Sequence, residues 1–518
     1  MHRSNSIRIA VFYGFLGGVL VLIATSRYGI GLSADSVTYL AAAQNIATGR
    51  GYVNFDEAPV LAFPPLFSAM IAMLSVGLFD PASVARFLNA LCFGLIVFLT
   101  AHWLFRHLRS YLLALLGATA VLFSIPLIGI SVYAWAEPLF IVLTMLMLLQ
   151  IESARSTDSL ASWVLAGMFA SLAVLDRYAG IIVVVTGMIL LATKRTNSIA
   201  SLVRRLSLFL LIAMLPISLW FYRNYEISST ITGYRAEAAR TFLQSSHDML
   251  NVLSLWFLPG SLPFLYRFCL MILLMFLFVG IVFVVFRRNI SVRDILDTLP
   301  FLLFTFIYAI FMIYTTSTTA LSPIDDRYLS PIFAPLILSL FYLVDRLTYK
   351  YSVSTGNTLP RAVVTTALVI WLVYPIVTTY RTVKMYLEQG AGGFHTSNWI
   401  ESDLVSYLKS NELSGMVYTN EPSAVYALTG RGYLQSPEKF AYESQVPTED
   451  LLRFQADLQS QRVLYIVWFH TDWWQGWLYD VDELHNICEL NRIAAREDGD
   501  VYQMRLSNCS EQSATESP

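Results

Sequence analysis

The chain has 518 residues, 56% of them hydrophobic and only 14% charged, with a formal net charge of −2. Soluble domains carry about a quarter charged residues, so the composition excludes an ordinary soluble enzyme. Nothing in the charge balance argues for a nucleic-acid partner, and long apolar runs through the first three quarters mark a polytopic α-helical membrane protein.

The first apolar run, 9–26, lacks a small-x-small cleavage site before Arg27 and reads as a retained span. Further runs cover 84–105, 112–127, 138–151, 160–175, 180–192, 206–222, 268–286, 299–314, 329–344 and 362–377, about eleven spans in all. With the amino terminus inside, alternate connections hold Arg106 and Arg109; Arg155; Lys194, Arg195, Arg204 and Arg205; Arg287, Arg288 and Arg293; and Arg346, Lys350 and Arg361. All fall on the cytoplasmic side with Arg3 and Arg8, as the positive-inside rule requires. The other connections hold Asp35, Asp56, Glu57, Asp176, Glu226, Glu237, Asp325 and Asp326. The reading places the protein in the plasma (inner) membrane.

The first outer loop, 27–82, is long. An amphipathic helix is expected over 35–48, then a turn at Gly49-Arg50-Gly51, then an apolar segment broken by Phe63-Pro64-Pro65-Leu66. If segment 58–79 crossed the bilayer, every later basic loop would change sides, so it reads as re-entrant or interfacial.

The transmembrane part is expected over 1–379, an extracytoplasmic α/β domain over 380–509 and a disordered tail over 510–518. Strand patterns lie at 416–419, 463–468 and 501–506, with helical patterns at 399–409, 422–428 and 449–458 between them. Cys92 and Cys269 lie in spans and read as small apolar side chains. Cys488 and Cys509 lie in the outer domain, equidistant from Asp498-Gly499, a hairpin signal. They face each other if both strands run without a bulge; a bulge would leave two unrelated thiols.

Residues of the outer connections carry the candidate chemistry. Asp35 follows the first span, and Glu137 opens the fourth in Ala136-Glu137-Pro138. Asp176-Arg177-Tyr178, Arg223-Asn224-Tyr225, Tyr234-Arg235 and Asp325-Asp326-Arg327-Tyr328 set arginines beside tyrosines or asparagine at bilayer level. A guanidinium fork matches phosphate oxygens, and a carboxylate can take a proton. Arg177, Arg327, Arg235 and Tyr328 are the candidate phosphate ligands. Glu137, Asp176, Asp326 and Arg223 are supporting candidates. The set describes a site for a lipid-phosphate donor. Each member also has a plainer reading: Asp35 as a helix N-cap, Glu137 as a helix start, Asp176–Arg177 and Asp326–Arg327 as local ion pairs, and the Trp-rich run 468–477 as domain packing.

The stretches Asp35-Ser36-Val37-Thr38-Tyr39-Leu40-Ala41, Ala47-Thr48-Gly49-Arg50-Gly51-Tyr52 and Pro64-Pro65-Leu66 together resemble the GT-C glycosyltransferases, most nearly glycosyltransferase family 39. That family includes protein O-mannosyltransferases and aminoarabinose transferases. Ala136-Glu137-Pro138-Leu139-Phe140, Asp326-Arg327-Tyr328-Leu329 and an external domain after the last span extend the resemblance over about residues 7 to 435. It implies inverting transfer of a sugar from a polyprenyl-phosphate carrier to a protein, lipid or glycan acceptor on the outer membrane face. Asp35 is then the base. Many members carry an Asp-Glu pair in the first loop; here Ser36 stands in place of the second acid.

The leaving group is already an anion, so the scheme requires charge stabilisation and no metal or other cofactor. Asp325 and Asp326 are adjacent rather than spaced as Asp-x-Asp. A lipid-linked substrate transporter would place ionisable groups along a pathway inside the spans or show inverted repeats. A non-catalytic scaffold with an external sensing domain would leave Asp35 dispensable.

Overall fold

Seven helices in the computed structural model are long and apolar enough to cross a bilayer, counted over described residues 3–75, 79–157, 160–193, 198–273, 292–471 and 475–509. They include Pro81–His107, Ile199–Ser228, Asp326–Thr355 and Leu359–Gln389. At 1.5 Å per residue, 18 or more residues match the hydrocarbon core. Tyr111–Leu122 and Ile125–Ser131 make an eighth span if taken together; they bend by 41° where Ser124 and Pro126 restart the helix. Leu160–Asp176 and Tyr178–Ala192 are shorter apolar helices. The expected run 268–286 passes into residues 274–291, outside the described residues, as do Arg287, Arg288, Lys194, Arg195 and the tail 510–518.

The connections at Arg109 and Arg346 meet at one end of the helices. Asp345 accepts the backbone N–H groups of Arg109 (2.7 Å) and Ser110 (2.9 Å), which satisfies the start of Tyr111–Leu122. Glu152 takes the Trp103 indole N–H at 2.8 Å and faces His107 at 3.2 Å. The acidic connections meet at the other end, around the first loop.

That loop contains the helix Ala34–Ala47. Its N-cap is Ser33, whose hydroxyl accepts the Ser36 N–H. Capping is therefore not the task of Asp35, which stands in the first turn with its carboxylate pointing elsewhere. Asn45 donates to the carbonyls of Val53 and Asn54, and the Tyr52 hydroxyl donates to that of Pro64 at 3.0 Å. After the proline pair, Leu66–Ser75 forms a helix of 10 residues, about 15 Å long and too short to span.

The last long helix continues to Gln389, so the boundary expected at 380 falls inside it. Five strands follow: β1 (Met416–Thr419), β2 (Leu434–Gln435), β3 (Val463–Phe469), β4 (Cys488–Arg496) and β5 (Gly499–Cys509). Their order is β2-β1-β3-β5-β4, parallel across β2-β1-β3 and antiparallel across β3-β5-β4. The two-residue period of β3 sends Val467 and Phe469 to one face, against Leu404, Leu408 and Val425. It sends Leu464 and Ile466 to the other, against Phe454, Leu458 and Leu484.

The helix expected over 399–409 is split into Ser397–Ile400 and Asp403–Ser410, with Ser402 capping the second piece. The turn joining β4 to β5 is Glu497-Asp498, one residue before the expected pair, because Gly499 already pairs with Arg496. Packing explains that glycine. A Cβ there would stand 2.4 Å from the Trp468 carbonyl oxygen. Cys488 and Cys509 are joined as a disulfide although two register shifts interrupt the ribbon between them.

A glycine-rich joint, Gly390 to Gly393, sets this domain against the membrane helices. Leu32 donates to the Gly392 carbonyl at 3.3 Å, and Phe394 donates back to Leu32 at 2.8 Å. Gly31 is bonded in the same way to Val132 and Ala134 on its other side. Gly392 and Gly393 both have positive φ, and a Cβ at Gly393 would lie 1.8 Å from the Leu32 carbonyl oxygen. The joint thus ends beside Ser33 and Asp35.

Candidate active site

Four connections that are distant in sequence bring four charged groups together. Asp35 Oδ2 lies 2.6 Å from Arg327 Nη1. Arg327 also bonds Glu137 through Nε, and Glu137 in turn bonds Arg177. The result is an alternating chain, Asp35–Arg327–Glu137–Arg177. Glu137 is fully buried at the start of the helix Glu137–Thr157. A buried carboxylate is costly unless paired, and two guanidinium groups hold it.

Local helix chemistry aims these groups. Asp325 caps Asp326–Thr355 by accepting the Tyr328 N–H at 3.1 Å, which places Arg327 in the first turn. The Arg327 guanidinium lies 4.3 Å over the Trp135 ring. The Trp135 indole donates to Ser33 Oγ at 2.8 Å, so the cap of the Asp35 helix and the platform under Arg327 are one unit.

The local ion pairs considered from sequence are not what the structure shows. Asp326 accepts the Trp256 indole N–H at 2.7 Å, and Arg327 turns to Asp35 and Glu137. Asp176 is fully buried, with no hydrogen-bond partner on either carboxylate oxygen among the described residues. Its neighbour Arg177 turns to Glu137. Sequence adjacency misled here because residues i and i+1 do not share a helix face.

A cavity of about 720 Å³ opens above the chain. Asp35, Arg177, Arg235, Arg327 and Tyr328 line it. Arg235 also donates to the Ala62 carbonyl at 3.1 Å. Arg223 is absent from the lining. It donates to the Val60 carbonyl and to Asn224, and stacks on Trp220, so it fastens the first loop. Tyr178 does similar work, donating to Leu61 at 2.7 Å. Among the described residues no group of three or more His, Cys, Asp or Glu could hold a metal ion.

Sequence reading missed Tyr39 and Tyr308 in the wall, and the roof, formed by Asn420, Glu421, Gln435, Tyr442 and Trp477 of the α/β domain. The wall tyrosines read as span aromatics, and nothing in the sequence says which edge of the sheet domain faces the helices. Of the Trp-rich run, Trp468 packs within the domain core, Trp477 reaches the cavity, and Trp473 and Trp474 lie outside the described residues.

No protein-family model matches the chain, and no curated protein matches it. Solved structures do. ArnT from Cupriavidus metallidurans in the apo state aligns with a TM-score of 0.56 at 11% identity, covering 95% of this chain and 97% of that one. The same protein bound to undecaprenyl phosphate aligns with a TM-score of 0.56 over 98% of both chains, again at 11% identity. The chain has the fold of the GT-C membrane glycosyltransferases. The arabinofuranosyltransferase AftD from Mycobacteria gives a TM-score of 0.49 at 13% identity, covering 97% of this chain and 41% of that one. The alignment with ArnT covers 95% of the chain and so takes in both the helix bundle and the small sheet domain.

Proposed function

We propose that the protein transfers a sugar from a polyprenyl-phosphate carrier to an acceptor hydroxyl, with inversion, at the extracytoplasmic face of the plasma (inner) membrane. The observation that carries this is Asp35 in an ion pair with Arg327, at a cavity that also exposes Arg177 and Arg235. Support comes from the same-fold ArnT, solved bound to undecaprenyl phosphate. The side of the membrane rests on the positive-inside pattern of the sequence, and the connections at Arg109 and Arg346 meet at the end away from Arg327.

In the reaction the acceptor oxygen attacks the anomeric carbon from the face opposite the phosphate. Its proton passes to Asp35, the new oxygen–carbon bond forms, and the carbon–oxygen bond to phosphate breaks. Polyprenyl phosphate leaves with the electron pair. Arg327, Arg177 and Arg235 supply positive charge where negative charge accumulates on the leaving group, in a site partly shielded from water. The donor phosphate competes with Asp35 for Arg327. Bound donor therefore takes over the guanidinium and leaves the carboxylate to accept a proton. Glu137 keeps Arg327 and Arg177 charged and oriented while the phosphate is absent.

The test is transfer of labelled sugar from polyprenyl phosphate by purified protein and by its Asp35→Asn variant. Loss of general-base catalysis lowers the rate about a hundredfold or more.

A further inference from the structure

The roof of the cavity has a chemistry of its own. Glu421 follows β1 and is 5% exposed. Gln475 donates to its Oε1 at 2.9 Å, and the Gln475 carbonyl accepts from Asn420 at 2.8 Å. Asn420 is fixed in turn by both backbone groups of Phe469, each at 2.9 Å. Beside this cluster the Tyr442 and Trp477 rings meet edge to face, 5.5 Å apart at 80°. The Trp477 carbonyl accepts from Lys439 at 2.7 Å, which fixes its backbone. Tyr442 reaches Ser322, 3.3 Å away, on the connection that leads into Arg327.

We infer that this roof is a saccharide subsite, so that the acceptor presenting its hydroxyl to Asp35 is itself a carbohydrate. The inference rests on the donor reading above and names the acceptor class. A sugar ring offers hydroxyls around its edge and patches of C–H on its faces. A held carboxylate accepts hydroxyl protons, and aromatic rings cover C–H surface. An alkyl alcohol offers the carboxylate one hydroxyl and the rings no ordered C–H face, so it is held too weakly to be seen. A peptide acceptor brings backbone amides that need hydrogen-bond partners of their own, which a sugar does not. The volume falls within the range that buries a small ligand. The floor groups Asp35, Arg177 and Arg327 belong to the membrane part and the roof groups to the outer domain, so phosphate and acceptor approach from different parts of the chain.

The experiment uses the full chain in lipid nanodiscs, with saturation-transfer NMR against methyl glycosides of common hexoses and pentoses. Octanol and an N-acetylated serine tripeptide amide are the controls. At least one glycoside receives saturation, and the controls receive none. Glu421→Gln weakens that binding about tenfold, the size expected for a hydrogen bond to a charged group. Tyr442→Ala weakens it as well; Tyr442 is 46% exposed, so its truncation opens no core. Undecaprenyl phosphate binds wild type and both variants alike, which also shows that they are folded. The inference is overturned if no glycoside binds, if both variants bind glycosides as wild type does, or if the tripeptide binds in their place. Glycoside binding through the roof by a protein that fails to bind undecaprenyl phosphate would leave the subsite standing and remove the donor reading instead.

Discussion

Arg327 is shared between Asp35 and Glu137, and that sharing sets what each substitution does. A lysine keeps the charge but has no fork, so it cannot hold both carboxylates and a phosphate in one plane. Arg327→Lys and Arg177→Lys should each raise the apparent KM for the polyprenyl-phosphate donor about tenfold, the scale of one lost charge-assisted hydrogen bond, with slower transfer. Donor titration in detergent measures this. Unchanged donor dependence in both variants would move the phosphate toward Arg235. Asp35, Arg177, Arg235 and Arg327, which line the cavity, stood out in the sequence because charge is rare at bilayer level, but Arg223 stood out equally and fastens the first loop instead. The pairing of Arg327 was not legible: Glu137 lies 190 residues from Arg327, and only the packed helices bring them together.

Among the elements, the C-terminal sheet shows how much pattern reveals. β1 and the long strand β3 have apolar runs bounded by polar turns, and sequence placed both. The two-residue β2 carries no such pattern and went unseen, and the mostly exposed β4 was legible only through the hairpin signal that follows it. The same domain holds a titrating group. Burial, with the Asp450 carboxylate adding repulsion, pushes the Glu438 carboxyl up from its ordinary 4.5 to about 7. Between those values the folded protein retains a proton that the unfolded chain has lost. Stability conferred by that proton is full below 4.5 and declines as pH rises toward about 7. Glu438→Gln should flatten this part of the profile. Thermal unfolding at about pH 5 and about pH 8 is expected to differ by a few degrees less in the variant than in wild type. Equal pH sensitivity in both would assign the slope to other groups.

Across the whole molecule, Asp35, Glu137, Arg177, the cavity and the sheet domain lie at one end of the helices, and the connections at Arg109 and Arg346 lie at the other. Single reporter cysteines test which end faces outward. Cys92 and Cys269 are replaced by alanine, and Cys488 and Cys509 are tied up in their disulfide. An impermeant thiol reagent applied to intact cells should label Arg50→Cys in the first loop and spare Arg106→Cys. Labelling of the second and not the first would invert the protein in the membrane and place the cavity on the cytoplasmic side. The sequence reads the proline-broken segment that decides this parity as non-spanning because only that reading keeps the basic loops together, and the helix in it, Leu66–Ser75, is 10 residues long.

The most direct measurement for the central claim is single-turnover transfer from a polyprenyl-phosphate-linked sugar by wild type and by Asp35→Asn, with undecaprenyl-phosphate binding measured on the same preparations. Asparagine keeps the shape of Asp35 and removes its basicity. Transfer slowed about a hundredfold or more, with carrier binding retained, is the expected result. Near-normal transfer by the Asp35→Asn protein would contradict it.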